Sequence, residues 1–126
     1  MPQFITNEGL AILASRLKGD GAEPVYLAWG TGAAVASPSS TEVSGEVGTR
    51  AAMISQLETV TQVNDAYKLT GSISSQAIQT ITNWGVFDAL SGGNLLLHSS
   101  MVPGVDVVIG QIGIFTFRIQ FMRGDE

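Results

Sequence analysis

The sequence contains no cysteine, so neither a disulfide framework nor a cysteine-based metal site is available to it. It has one histidine, His98, and any metal centre or histidine-assisted nucleophile would have to be built around that single imidazole. Basic residues number six. Arg16, Lys18, Arg50, Lys68, Arg118 and Arg123 are spread along the chain, whereas a grip on nucleic acid needs a basic patch or stripe. With a net charge of −5, direct nucleic-acid binding is not expected. No stretch approaches the roughly eighteen apolar residues of a membrane span. The opening Met1-Pro2-Gln3-Phe4-Ile5 lacks the basic start and apolar run of a secretory signal, so a soluble protein made in the cytoplasm is expected. Charged residues make up only 13%, about half the share of an ordinary soluble domain. A surface so poor in charge fits one that partly faces other subunits.

What is present suits a single domain, residues 1–126, with one core. Fifteen glycines and four prolines favour a chain that turns often, hence short strands over long helices. The start, residues 1–5, reads as an arm. Residues 6–18 place Leu10, Leu13, Ala14 and Leu17 at helical spacing, with Thr6 and Asn7 as N-cap candidates and Gly19 as a stop. Gly9 weakens that helix, since glycine costs about 1 kcal/mol against alanine in a helix interior. Val25-Tyr26-Leu27-Ala28-Trp29 is β-prone. Residues 30–49 are small and polar without periodicity, a long loop that is either flexible or ordered by a neighbour; ordering by a neighbouring subunit is the favoured expectation.

Beyond Arg50 the pattern is of strands. Residues 51–63 are β-prone, Asn64-Asp65 reads as a hairpin turn, and Tyr67, Leu69 and Ile73 alternate with polar residues as on a half-buried strand. Residues 77–89 keep no single parity, which requires either a bulge near Trp84-Gly85 or cover on both faces. Leu90-Ser91-Gly92-Gly93-Asn94 is a short hairpin loop leading into Leu95–Met101, and Val102-Pro103-Gly104 is expected to end that strand. A last strand over 111–121 sets Phe115, Phe117, Ile119 and Phe121 on one face and Thr116, Arg118 and Gln120 on the other. The expected fold is mainly β: an antiparallel β-sandwich or barrel-like domain with one N-terminal α-helix.

Chemistry is scarce in this pattern. Gly30-Thr31-Gly32 follows a strand as a dinucleotide loop does, but Val35 stands where the third glycine belongs and no helix pattern follows; a tight turn is the simpler account. His98 sits mid-strand among leucines and serines and reads as a hydrogen-bonded or half-exposed strand residue. Glu42 and Glu46 read as solvated loop carboxylates. Trp29 and Trp84 suit core packing; the alternative is a pair of sugar-stacking platforms, with Asn83 and Asp88 near Trp84. No cofactor, metal or catalytic activity is expected.

Ile81-Thr82-Asn83-Trp84-Gly85-Val86-Phe87-Asp88-Ala89 followed by Gly92-Gly93-Asn94-Leu95-Leu96-Leu97 resembles a hairpin of small tailed-bacteriophage virion proteins, a pattern shared by capsid decoration proteins and by domains of tail-fibre and collar proteins. Gly30-Thr31-Gly32 with Glu46 and Arg50, and the closing Gly110–Phe121 segment, are similar to the same pattern. Asn83 departs from it where an acidic residue is common, and Phe117 where tryptophan is expected. The resemblance implies a non-enzymatic virion subunit. Its first form is a decoration or cement protein that binds the major capsid protein on the outer capsid surface, stabilises the shell against heat and DNA pressure, and assembles as a homotrimer. Its alternatives are a tail, collar or fibre-attachment subunit, or a carbohydrate-binding host-recognition module. The contacts are expected from Pro2, Phe4, Gly30, Gly32, Glu46 and Arg50. Deleting the arm or residues 30–49 is expected to weaken attachment and leave the β core folded.

Overall fold

The computed structural model describes residues 3–123. Among them the chain forms eight strands and one helix: β1 Gln3–Ile5, α1 Asn7–Lys18, β2 Tyr26–Gly30, β3 Glu46–Ala52, β4 Ile54–Glu58, β5 Ala66–Ser74, β6 Gln79–Phe87, β7 Leu95–Val107 and β8 Ile112–Gln120. A five-stranded sheet has the order β1-β7-β6-β2-β3 and a three-stranded sheet the order β4-β5-β8. Every strand pairing is antiparallel. The fold is an antiparallel β-sandwich with one helix near its N-terminus.

The inner faces of the two sheets build the main core. β2 and β6 lie side by side with Leu27 opposite Val86 and Trp29 opposite Trp84, and these four pack with Leu97, Leu69 and Ile73. From β8, Phe115 meets the Trp84 ring at 4.8 Å and the Trp29 ring edge-on at 6.3 Å. Strand alternation then sends Ala28 and Phe87 to the other face of the large sheet, where they pack with Leu95 and Val43. The large sheet is therefore buried on both faces, by the small sheet on one side and by residues around Val43 on the other. That explains the missing parity of 77–89. The irregular pairing of β6 lies between Ile81 and Asn83 and again between Val86 and Phe87, flanking Trp84-Gly85.

Two expected boundaries move. The β-prone run 51–63 does not form one strand: Met53 donates its amide to Val25 O at 2.6 Å, and the chain changes sheets there, between β3 and β4. One composition thus serves both layers. Val102-Pro103-Gly104 does not end β7, because the pairing with β6 skips the segment. Ser100 faces Asn83, Val105 faces Ile81, and the ladder runs on to Val107. Proline is tolerated where a bulge removes the need for a ladder donor. The Asn64-Asp65 turn forms, with Asn64 at φ 58°. The Asp65 carboxylate accepts from the amides of Val60, Thr61 and Gln62 at 2.9–3.0 Å, and these bonds hold its pKa down at about 2.

The helix departs further from expectation. Thr6 is its N-cap, accepting from Gly9 N at 3.0 Å and donating to Leu95 O, and Gly19 ends it in the left-handed region at φ 93°. Yet the face turned inward is Gly9 and Ile12, with Leu13 packed at the margin of the core. Leu10 and Leu17, expected inside, are 60% and 90% exposed. The reason is the close seat of the helix on β7: a Cβ at Gly9 would lie 2.2 Å from Leu96 O, so only glycine admits that approach. Gly9→Ala, which helix propensity alone favours by about 1 kcal/mol, is expected to destabilise by about 2–3 kcal/mol through overpacking against backbone. Urea denaturation reads this as a lower midpoint at unchanged slope; a raised midpoint refutes the packing argument.

Candidate functional site

Residues 31–45 cross the outer face of the large sheet and contain Ala36 and Val43, both buried. They are ordered by the chain's own β6 and β7, which replaces the expected ordering by a neighbouring subunit. Residues 46–49, expected in the loop, belong to β3. The central fastener is Asn83. Its side-chain amide accepts from Ser44 N at 2.8 Å and donates to Ser44 O at 2.9 Å, pairing with that residue as a neighbouring strand would. A carboxylate in this place lacks the donor for Ser44 O, which gives the departure from the acidic residue of the resembled pattern a physical consequence.

The same amide oxygen meets His98 Nε2 at 2.8 Å. Because Asn83 Oδ1 is an acceptor, Nε2 must carry the proton, and Nδ1 then accepts from Ser40 Oγ at 2.9 Å. Burial disfavours the charged imidazole, which is 1% exposed and committed at both nitrogens. Further along β7, Ser100 Oγ accepts from Ala36 N at 2.7 Å. Asn83, His98 and Ser100 form a row of polar side chains under the loop, each satisfied by it, as buried polar groups require. Deleting 30–49 would strip the cover from this row and remove Val43 from the core, so the segment is not a detachable appendage.

The expected contact residues sit as follows. Pro2 lies outside the described residues. Phe4 is in β1, opposite His98 of β7, and 36% exposed. Gly30 and Gly32 lie against the returning chain: Thr31 N donates to Gly45 O at 3.2 Å and Gly32 N to Ser44 O at 3.0 Å, and a Cβ on either glycine would fall 2.1 Å from Ser44. This backbone pairing, with no helix after it, replaces the tight turn expected there. Glu46 and Arg50 meet in a forked ion pair, Nε to Oε2 at 2.8 Å and Nη2 to Oε1 at 3.1 Å. Arg50 also donates Nη1 to Ala89 O at 2.9 Å and to Gly92 O at 2.7 Å, and its guanidinium carbon lies 3.5 Å from the centre of the Phe87 ring.

Arg50 therefore joins β3 to the 88–94 hairpin loop, and beside it is a depression of about 310 Å³ reaching from Thr41 and Glu42 to Gly92 and Gly93. Spacing alone could not reveal this, since Arg50 and Gly92 are far apart in the chain; the resembled pattern included both residues but not their contact. Among the described residues no group of three or more histidines or carboxylates is placed to hold a metal ion, and no helix is long and apolar enough to cross a membrane. Trp29 and Trp84 are each 3% exposed, so neither indole face is open to a sugar. What the site does is present a pre-ordered, hydrogen-bonded surface.

The family of the podophage GP4 fiber I protein gp80 matches residues 11–119. The chain belongs to that family. No curated protein matches it, and no solved structure does. The match to the fiber I family begins within the helix and covers the loop, strands β2 to β7, nearly all of β8 and the Glu46–Arg50 pair, and it makes the chain a structural protein of the phage virion.

Two outcomes follow from this geometry. Arg50→Ala is expected to cost about 3 kcal/mol, from lost charge-assisted bonds and the stack on Phe87, and Arg50→Lys about 2 kcal/mol because the fork is lost while charge remains. A cost below about 0.5 kcal/mol for the alanine variant, by urea denaturation, dismisses Arg50 as a fastener. Burial holds the His98 pKa below its ordinary 6.5. Below that value the unfolded chain binds more protons than the folded one, so stability is full above about pH 6.5 and declines as pH falls toward 5. His98→Gln is expected to flatten this stretch of the stability curve, leaving the Asp65 loss, which sets in only below its ordinary pKa of 3.8. An unchanged curve rules His98 out.

Proposed function

We propose that this protein is a non-catalytic fibre subunit of a podophage tail, working by protein–protein contact with neighbouring virion components. The observation that carries the reading is the family match across 11–119. Supporting it is a surface suited to contact: charge is sparse, and Leu17, Leu57 and Phe121, which border one groove, stand 90%, 63% and 58% exposed. Apolar side chains displayed together mark interaction surfaces more often than solvent faces. The ordered loop supports it as well, since a segment held by Asn83 and His98 before any partner arrives leaves less ordering entropy for binding to overcome.

Fibre attachment takes precedence here over the capsid-decoration reading, because the matched family is one of fibre proteins. Decoration, with the major capsid protein as partner, is the reading that replaces it if location demands. Gold-labelled antibody on purified particles of the source phage, viewed by electron microscopy, is expected to mark the fibres at the tail. Label spread over the head shell overturns the fibre assignment in favour of decoration, and absence of the protein from purified particles overturns both.

A further inference from the structure

A strand at the edge of a sheet offers unpaired backbone groups to any other strand that can reach it, and most edges carry some protection against this. In this sandwich β1 has only three residues and β4 five. β3 is interrupted by a register shift against β2 and carries Gly48 at φ 74° and the Glu46–Arg50 pair. β8 has none of these protections. It runs for nine residues without proline, pairs with β5 residue for residue from Ile112 to Gln120, and bears a single charged side chain, Arg118. The bonds that flank its ladder fix which of its groups are free. Ser75 N donates to Gln111 O at 2.8 Å and Phe121 N to Asp65 O at 2.9 Å, so the odd-numbered residues of β8 bond to β5 and the alternate ones point their N–H and C=O away from it. Ile112, Ile114, Thr116 and Arg118 are such residues. All are exposed, and among the described residues nothing bonds to their backbone on that side.

We propose that the free edge of β8 takes up an extended segment of another protein as a fourth strand of the small sheet. Donors and acceptors that point outward at two-residue spacing match the backbone of an extended peptide. The neighbouring layer argues against a second copy of this chain. Phe115 lies on Trp84 of β6, and β5 approaches β2 and β3, so the free edge of β8 looks out over β7, and the large sheet runs on past it through β7 and β1. In a second copy the same overhang would meet its counterpart before two β8 edges came within the ladder distance of about 4.8 Å. A single extended segment carries no second sheet. Its inner row is apolar, because it would lie beside Phe115, Phe117 and Met101, all partly buried and packed on the core. Its outer row holds a carboxylate near Arg118. That guanidinium gives only Nη1 to Glu58, at 2.6 Å, and shares this carboxylate with Lys68 at 3.3 Å, so its other donors are open. Ile112 and Ile114, 60% and 75% exposed, make the opposite end aliphatic. The inference rests on the reading of the chain as a subunit that works by protein contact, and it names the form of the partner.

The test uses the acetylated peptide Glu-Val-Thr-Val-Thr-Val-Glu, which reads alike in both directions, so that a glutamate reaches Arg118 whichever way it pairs. Amide exchange followed by NMR on the full chain is expected to be fast at 112, 114, 116 and 118 and slow at 113, 115, 117 and 119. Peptide at millimolar concentration is expected to slow the first set by about fivefold or more and to leave the second unchanged. The same peptide with both threonines replaced by proline keeps its charge and its valines but loses two donors, and is expected to slow neither. Thr116→Pro removes a donor from the free edge and none from the ladder to β5; it is expected to fold, by its urea transition, and to bind the peptide about tenfold more weakly. Arg118→Gln, which leaves the backbone alone, is expected to weaken binding about fivefold. Slow exchange at both sets without peptide, a peptide that slows neither set, equal slowing by the proline peptide, or binding unchanged in Arg118→Gln each overturns the proposal. So does protection of the alternate amides that rises with protein concentration alone, which assigns the edge to a second copy. The peptide reads the edge wherever antibody label falls on the particle, so this inference and the fibre assignment can fail separately.

Discussion

The side-chain amide of Asn83 is the interaction on which the outer face of the molecule depends. One residue of β6 behaves toward Ser44 as though it were the backbone of a neighbouring strand, and so gives fifteen residues of irregular chain a place in the sheet's hydrogen-bond pattern. Through its oxygen it also settles the tautomer of His98, which in turn orients Ser40. Buried polar networks of this kind are costly when partly satisfied and specific when complete. Here completeness is shared between loop and sheet, so neither is native without the other. Val43 adds an apolar plug beside the polar row, and Arg50 closes the far side against the 88–94 loop.

The helix, whose Asn7 N donates to Pro38 O of the loop at 2.7 Å, shows a similar economy. Gly9 trades helix propensity for contact with the β7 backbone, and the capping Thr6 and first-turn Glu8 are both spent on β7, at Leu95. A short helix held by its N-terminal turn, by Ile12 and by the half-buried Leu13 needs neither Leu10 nor Leu17 for its own fold.

Much of the fold was legible because strand periodicity is local. Tyr67, Leu69 and Ile73, and again Phe115, Phe117 and Ile119, lie on the predicted faces, and Gly92 and Gly93 turn the hairpin at φ 64° and 74°. The helix face was not legible. Periodicity finds an apolar stripe but cannot say which of two sides a backbone will press against, and Gly9, read as a weakness, was the signal for the buried side. The sheet change at Met53 was hidden for another reason, since adjacent strands of both layers share a β-prone composition. The loop's order was illegible because its partners, Asn83, His98 and Ser100, are distant in sequence and polar, whereas pattern reading looks for apolar anchors. Of the candidate site, Glu46 and Arg50 were found by resemblance; His98 was seen but its role as a fastener was not.

The placement of β1 has a temporal consequence. Gln3, Phe4 and Ile5 find their ladder partners at Ser99, His98 and Leu97, and Thr6, which caps the helix that follows, donates its hydroxyl to Leu95 O. As the chain leaves the ribosome, β1 and α1 must wait for β7, made some 89 residues later, before they can settle. Pairings so remote in sequence slow folding, because the loop must close before its contacts repay that ordering. Throughout that interval both sides of α1 are uncovered, with the sheet that seats Gly9 and Ile12 not yet formed. A chain arranged this way has nascent surfaces that need protection from premature encounters, and its maturation is timed by the synthesis of β7.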